Sequence, residues 1–337
     1  MISIERNKDL TCSNTFRMKV KCSCFVEYDT LEDLFRMDFS TFPQPFVHIG
    51  AGSNLLFTGD FPGTVFHSLI KFLRPAGDND GEVLVEAGAG VPFDDFVEWA
   101  CSMRLWGAEN LSDIPGEVGA AAVQNIGAYG VEAKDIIVRV NCFDAQEREM
   151  LVFENAECSY GYRTSFFKTD APKGRYFITS VLFRLSAEPA PKLDYGNIRS
   201  ALGGRTVDSP SDVRSVITGI RKEKLPDPKV IGSAGSFFKN PVVSEEDFLR
   251  IQESEGVEVP HFDVEGGVKI PAAWMLDRCS LKGCSVGGAS VYERQPLVIV
   301  NSSGNASPAD ILALENEAVR RVKERFGVIL QPEVEHI

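Results

Sequence analysis

Between Gly232 and Pro241 the chain reads Gly-Ser-Ala-Gly-Ser-Phe-Phe-Lys-Asn-Pro, which sets the Ser236 hydroxyl between small residues and two phenylalanines, with Lys239 and Asn240 directly behind. Small residues let a backbone approach a ligand closely, and paired aromatic rings exclude water. A serine in such a pocket can give up a proton to a reacting carbon. It is badly placed for hydrolysis: no Gly-x-Ser-x-Gly elbow surrounds it, and none of the four histidines (His48, His67, His261, His336) is near it in sequence.

Two other side chains could act beside an acid. Glu333 follows the apolar run Val328-Ile329-Leu330, read as a buried strand, and a carboxylate at the end of such a strand is costly unless a partner or a reaction holds it. Arg163 lies among the aromatics of Ser-Tyr-Gly-Tyr-Arg-Thr-Ser-Phe-Phe-Lys, residues 159–168, where a guanidinium can stack and still present a planar fork to a carboxylate. A surface salt bridge accounts for that arginine equally well.

Two stretches of nearly bare backbone could hold a large anionic ligand. Gly50-Ala51-Gly52-Ser53-Asn54 joins the apolar segments Phe46–Ile49 and Leu55–Phe57, and its N–H groups can converge on an anion. It is also an ordinary strand connection, and it lacks the helix of a dinucleotide fingerprint. Ile114–Gly130 packs four glycines and four alanines into 17 residues. Close helix–sheet packing would explain that composition, and so would a surface laid against a flat cofactor, with Gln124, Asn125 and Tyr129 as polar contacts.

These motifs together resemble a flavoprotein family, the UDP-N-acetylenolpyruvoylglucosamine reductases of bacterial cell-wall synthesis. Ile-Gly-Ser-Ala-Gly-Ser-Phe-Phe-Lys-Asn-Pro follows Lys224-Leu-Pro-Asp-Pro-Lys229, Gly161-Tyr-Arg-x-Ser165 marks a subclass, and Pro332-Glu-Val334 closes the chain in family order. The resemblance implies an α+β protein, a two-subdomain FAD-binding fold of the vanillyl-alcohol-oxidase type with a C-terminal α+β substrate domain. It implies FAD contacts at Gly50, Ala51, Gly52, Ser53, Asn54, Leu55, Pro115, Gly116, Gly119, Ala120, Asn125, Gly127 and Ala128. Substrate contacts are implied at Tyr129, Tyr195, Lys224, Asn240 and Gln295.

The implied reaction is reduction of an enolpyruvyl ether. NADPH reduces non-covalently bound FAD, hydride passes to the terminal enolpyruvyl carbon, Arg163 and Glu333 stabilise the enolate-like species, and Ser236 protonates the adjacent carbon. Thr164 stands where many members carry an acidic residue. A tyrosine that closes over substrate in the subclass aligns near His261 and Phe262. A flavin oxidase of the same superfamily, or a non-catalytic nucleotide-sugar-binding protein, would share some of these motifs.

Composition narrows the surroundings. The 337 residues allow two or three domains, and 44% hydrophobic with 25% charged residues suits a globular chain. A net charge of −13 argues against nucleic-acid and membrane-surface partners. No apolar signal or spanning run opens the chain, so a cytoplasmic location is expected; a monomer is expected separately. The eight cysteines lack paired spacing and read as free thiols, and no His/Cys cluster has metal spacing.

The elements that must position these residues are legible in part. Strands are expected near 20–28, 46–49, 82–86, 136–143, 176–185, 289–300 and 328–330, and a linker over 189–210. Helices are expected from Thr30 to about Phe39, from Phe93, over 212–224, from Ser244 to about Ser254, from Pro271 and from the Ser307 cap to Gly327. Residues 1–75 with 327–337, and 76–210, are expected to form the two FAD-binding subdomains, with 211–326 binding substrate.

Overall fold

A computed structural model describes residues 1–79 and 81–337. The chain forms two compact units, one of residues 1–8, 21–51 and 61–223, the other of residues 9–20, 52–60 and 224–337.

The first unit holds a four-stranded and a five-stranded sheet. Ser3–Asp9, Lys21–Tyr28, Phe61–Ser68 and Phe46–Ile49 lie side by side in that order, the last three parallel. The other sheet is antiparallel, in the order Glu149–Glu154, Ile137–Asp144, Tyr176–Ser186, Glu82–Gly88, Leu73–Asn79. Tyr28, Leu34, Phe42, Phe66, Phe143 and Phe177 form one core cluster, with Phe66 and Phe177 ring centroids 5.0 Å apart. The antiparallel sheet buries a further cluster with the helices Phe93–Ser102 and Val118–Gln124, in which Phe96 stacks on Phe183 at 4.3 Å. Each such phenylalanine contributes roughly 1.5–3 kcal/mol by leaving water.

Local signals set several boundaries. Thr30 and Asp33 form a reciprocal capping box, yet the helix runs only Leu31–Arg36, because Met37 turns extended and Asp38 caps a separate short turn over Phe39–Thr41. The expected linker carries a helix, Ile198–Leu202. The helix Pro210–Lys224 buries Val213, Val216, Ile217 and Ile220 with Trp106, Ile198 and Leu202 inside the first unit.

The second unit carries an antiparallel sheet in the order Gly232–Ser236, Val298–Asn301, Ala289–Val291, Ser285–Val286. The single strand expected over 289–300 is two strands, joined by a turn in which Tyr292 N–H donates to the Val298 carbonyl (2.8 Å) and Val298 N–H to that of Gln295 (3.0 Å). Val328–Leu330 is not a strand: Leu330 is buried, but Ile329 is 59% exposed and the segment joins no ladder. Residues 327–337 lie in the second unit together with residues 52–60, and Glu335–His336 pairs in parallel with Leu55–Leu56.

The last helix, Pro308–Phe326, buries Ile311, Leu314, Ala318, Val322 and Phe326. Ser307 and Asp310 make its capping box, and Gly327 ends it in the left-handed conformation. Ser307→Ala is expected to cost about 1 kcal/mol in urea denaturation without changing ligand binding.

Candidate functional site

Ser236 closes the Gly232–Ser236 strand at an irregularity in its ladder. Ser233 faces Val300 and Ser236 faces Val298, so three steps along one strand match two along the other. Such a bulge re-aims the side chain that follows it. Gly235 takes the strain at φ +71°, and a Cβ there would meet nothing within 4 Å. Gly235→Ala should therefore cost about 1–2 kcal/mol from backbone strain alone, read as a lower urea midpoint with unchanged slope.

Beyond Ser236 the chain is clamped. Phe237 and Phe238 are buried, Phe237 N–H donates to the Leu297 carbonyl (2.7 Å), and Lys239 N–H to that of Gln331 (2.9 Å). Phe238 bridges Pro332. Glu333 is held on both sides: its N–H donates to the Phe237 carbonyl (2.8 Å), and its own carbonyl accepts from Asn54 Nδ2 (3.1 Å). Glu335 N–H then donates to the Asn54 carbonyl (3.0 Å). The backbone at Phe237, next to Ser236, that of Glu333 and the 52–55 turn are thus joined within one unit, although some 280 positions separate Asn54 from Glu333.

Thr15, which sequence reasoning left without a role, completes this arrangement. Its N–H donates to the Gly52 carbonyl (3.1 Å) and its hydroxyl to that of Ser233 (2.6 Å). Gly52 is obligatory: φ is +63°, and a Cβ would lie 2.2 Å from the Ser13 carbonyl oxygen.

The first unit holds Gly50, Ala51 and the Ile114–Gly130 stretch. A Cβ at Gly50 would come 3.1 Å from Ala120 Cβ and 3.2 Å from Glu117 Oε2, so the two bare-backbone segments touch. Gly116 takes φ +140°, and Gly119 packs its Cα on Ala89, where an added Cβ would stand 3.0 Å from the alanine's. Close helix–sheet packing is therefore the reason for Gly119, whose N–H is taken by the Ala89 carbonyl (2.9 Å).

Arg163 is carried to this stretch by a loop pinned at several points. Asn125 Nδ2 donates to the Gly161 carbonyl (2.8 Å), Ser165 Oγ to that of Val123 (2.6 Å), and Lys168 Nζ to Gln124 Oε1. Arg163, at φ +56°, donates from its guanidinium to the Gly127 carbonyl and lies over the Tyr162 ring at 5.3 Å. A side chain on Gly127 would collide with that guanidinium, 2.7 Å away. Asn125 is buried in the left-handed conformation, and its Oδ1 accepts from Lys134 N–H (3.0 Å), so its side chain fixes the segment rather than reaching out of it.

The remaining residues are dispersed between the units. Tyr129 is half-buried, and its carbonyl accepts from Asn110 Nδ2 (2.8 Å); Tyr195 is exposed and lies against Gly130. In the second unit Lys224 is exposed, Gln295 sits in the turn before Val298, and Asn240 Oδ1 accepts from Ala272 N–H (2.9 Å), capping the helix Ala272–Arg278. His261 is occupied: Nδ1 meets the Val259 carbonyl at 2.9 Å and its ring lies 4.4 Å from that of Phe248. Phe262 is 45% exposed, with Lys269 Nζ 5.8 Å over its ring.

The residues present fit a flat diphosphate cofactor. Gln124 Nε2 and Thr164 Oγ1 are buried donors with no hydrogen-bond partner among the described residues. Among those residues no group of three or more His, Cys, Asp and Glu could hold a metal ion, and no helix is long and apolar enough to cross a membrane. All eight cysteines are free.

Two known protein families match parts of the chain. Residues 38–150 match the FAD binding domain family, and residues 227–337 match the C-terminal domain of UDP-N-acetylenolpyruvoylglucosamine reductase. The UDP-N-acetylenolpyruvoylglucosamine reductase of Bacteroides fragilis is 46% identical over 99% of this chain and 100% of its own length. That of Neisseria meningitidis serogroup A is 42% identical over 99% of this chain and 97% of its own. Among solved structures, UDP-N-acetylenolpyruvylglucosamine reductase from Thermus caldophilus superposes with a TM-score of 0.69 at 26% identity, over 100% of this chain and 99% of that one.

Proposed function

The chain belongs to the UDP-N-acetylenolpyruvoylglucosamine reductase family, and on that premise we propose that it uses NADPH and FAD to reduce UDP-N-acetylenolpyruvoylglucosamine to UDP-N-acetylmuramate. The observation that carries this reading is the two-sided clamp on the backbone of Glu333, which ties residue 333 to Phe237, next to Ser236 at the strand end. Bound FAD, once reduced by NADPH, supplies the hydride for the terminal enolpyruvyl carbon.

The protein supplies the rest. Gly50 to Leu55, with Pro115, Gly116, Ala120, Asn125, Gly127 and Ala128, hold the cofactor through backbone and close approach, and Gly119 contributes by letting its helix pack close behind them. Arg163 grips the substrate carboxylate, and Glu333 joins it in stabilising the charge that develops there. Ser236 gives its proton to the carbon bearing the ether oxygen, which completes addition of one hydride and one proton across the double bond, and the serine is reprotonated from solvent. Tyr129, Tyr195, Lys224, Asn240 and Gln295 bind the nucleotide sugar, with the lysine neutralising phosphate. Residues 1–75 and 76–210 serve as FAD-binding subdomains and 211–326 as the substrate-binding part. The enzyme works as a cytoplasmic monomer in peptidoglycan precursor synthesis, and so in cell shape and division.

The test is NADPH oxidation by the purified, yellow protein with and without the enolpyruvyl substrate. Oxidation tied to the substrate, with one UDP-N-acetylmuramate per NADPH, is expected; oxygen consumption in its absence would favour an oxidase.

A further inference from the structure

His67 sits between two carboxylates in the first unit. Its Nδ1 is 3.0 Å from Glu27 Oε1 and its Nε2 is 3.0 Å from Glu117 Oε1. Glu27 is its direct partner on the neighbouring parallel strand, and Glu117 immediately precedes the helix Val118–Gln124. A neutral imidazole carries one N–H and one lone pair, so it can satisfy one of these carboxylates and must turn its lone pair on the other. The imidazolium donates to both.

Glu117 is a joint between the two cofactor stretches. Its Oε2 lies 3.2 Å from the point a Gly50 Cβ would occupy, its own Cβ 3.3 Å, and Gly116 beside it is tied through its carbonyl to Phe93 N–H (2.9 Å). A carboxylate beneath Gly50 is a liability where an anionic diphosphate is to be held. Resting on the FAD reading above, we propose that His67 is a positioning residue for the cofactor: by donating to Glu117 and Glu27 it fixes the carboxylate under Gly50 and cancels its charge toward the diphosphate.

The surroundings agree on the sign. Burial alone would strip the His67 proton, but Glu117 first and Glu27 next outweigh it and hold the group above the ordinary 6.5. The other titratable groups near this cluster are Lys8, which is paired with Glu5 and raised in part by Glu27, Cys22, and the buried Tyr28, whose hydroxyl feels Glu117; Ile49 faces His67 from the remaining strand. Because the folded value is raised, the stabilising charge is complete below 6.5 and is lost as pH rises through the higher value.

The test uses the full chain freed of flavin. FAD affinity, read by quenching of flavin fluorescence, should weaken about tenfold from mildly acidic to mildly alkaline pH, the size expected for one uncompensated charge. The His67 proton signal, assigned by its loss in His67→Gln, should titrate above an ordinary histidine. His67→Gln should bind FAD about tenfold more weakly at neutral pH with the pH slope gone, and adding Glu117→Gln should restore affinity. If His67→Gln does not fold, Glu117→Gln alone should abolish the slope. Wild-type affinity and slope in His67→Gln, retention of the slope in Glu117→Gln, or failure of the double variant to recover overturns this role alone. A wild-type chain that takes up no FAD overturns the cofactor reading along with it.

Discussion

Ser236→Ala should leave reduction by NADPH at its normal rate and slow reoxidation by the enolpyruvyl substrate roughly 10²–10⁴-fold, the usual cost of losing a positioned general acid. The separation of the two half-reactions matters because the serine is assigned only to the proton that follows hydride arrival. Its surroundings make the substitution clean. The ladder around it is built from backbone bonds, Phe237 N–H to Leu297 and Glu333 N–H to Phe237, and none of these uses the hydroxyl. Folding should be unchanged, and substrate should still bind. Ser236→Cys, which keeps a transferable proton at similar reach, should recover part of the loss. Rapid mixing of pre-reduced protein with substrate, followed at the flavin band, separates the steps; equal loss in both half-reactions would contradict the assignment.

Glu333→Gln should also act on the second half-reaction, by about 10²–10³-fold, the range seen when one group stabilising a developing charge is removed. The substitution keeps size and the two backbone contacts that hold residue 333, to Phe237 and Asn54, so thermal stability should move little. A loss confined to substrate KM would instead mean that the carboxylate only helps binding. Pairing the change with Arg163→Lys tests whether the two act together, since residues working on the same developing charge lose less in combination than the sum of their separate losses.

Much of the frame could be read from local chemistry. Thr30 with Asp33, Ser244, and Ser307 with Pro308 mark helix starts where the structure has them, because capping acts within a few residues. Phe46–Ile49 is a strand as expected. The Ser3–Asp9 strand was not legible: its residues are mostly polar and exposed, and it pairs at the edge of its sheet. Apolar runs misled at 289–300 and 328–330, since hydrophobicity signals burial but says nothing of where a ladder must break for a turn.

The candidate site shows the same division. Its residue types stood out, but what joins them did not. Thr15 to Gly52 and Ser233, Asn54 to Glu333, and His67 to Glu117 are contacts across long stretches of chain, and nothing in their flanking residues announces them. The small residues also proved to have separate causes. Gly127 makes room for Arg163, Gly52 serves a turn, and Gly119 serves packing on Ala89, distinctions that composition alone cannot draw.

The central claim is reduction of an enolpyruvyl ether by this protein's own reduced flavin. Protein reduced with one equivalent of NADPH under anaerobic conditions and then mixed with UDP-N-acetylenolpyruvoylglucosamine should return to its oxidised yellow form, with one equivalent of UDP-N-acetylmuramate formed. A reduced protein that stays colourless in the presence of that substrate, and regains colour only when oxygen is admitted, would contradict it.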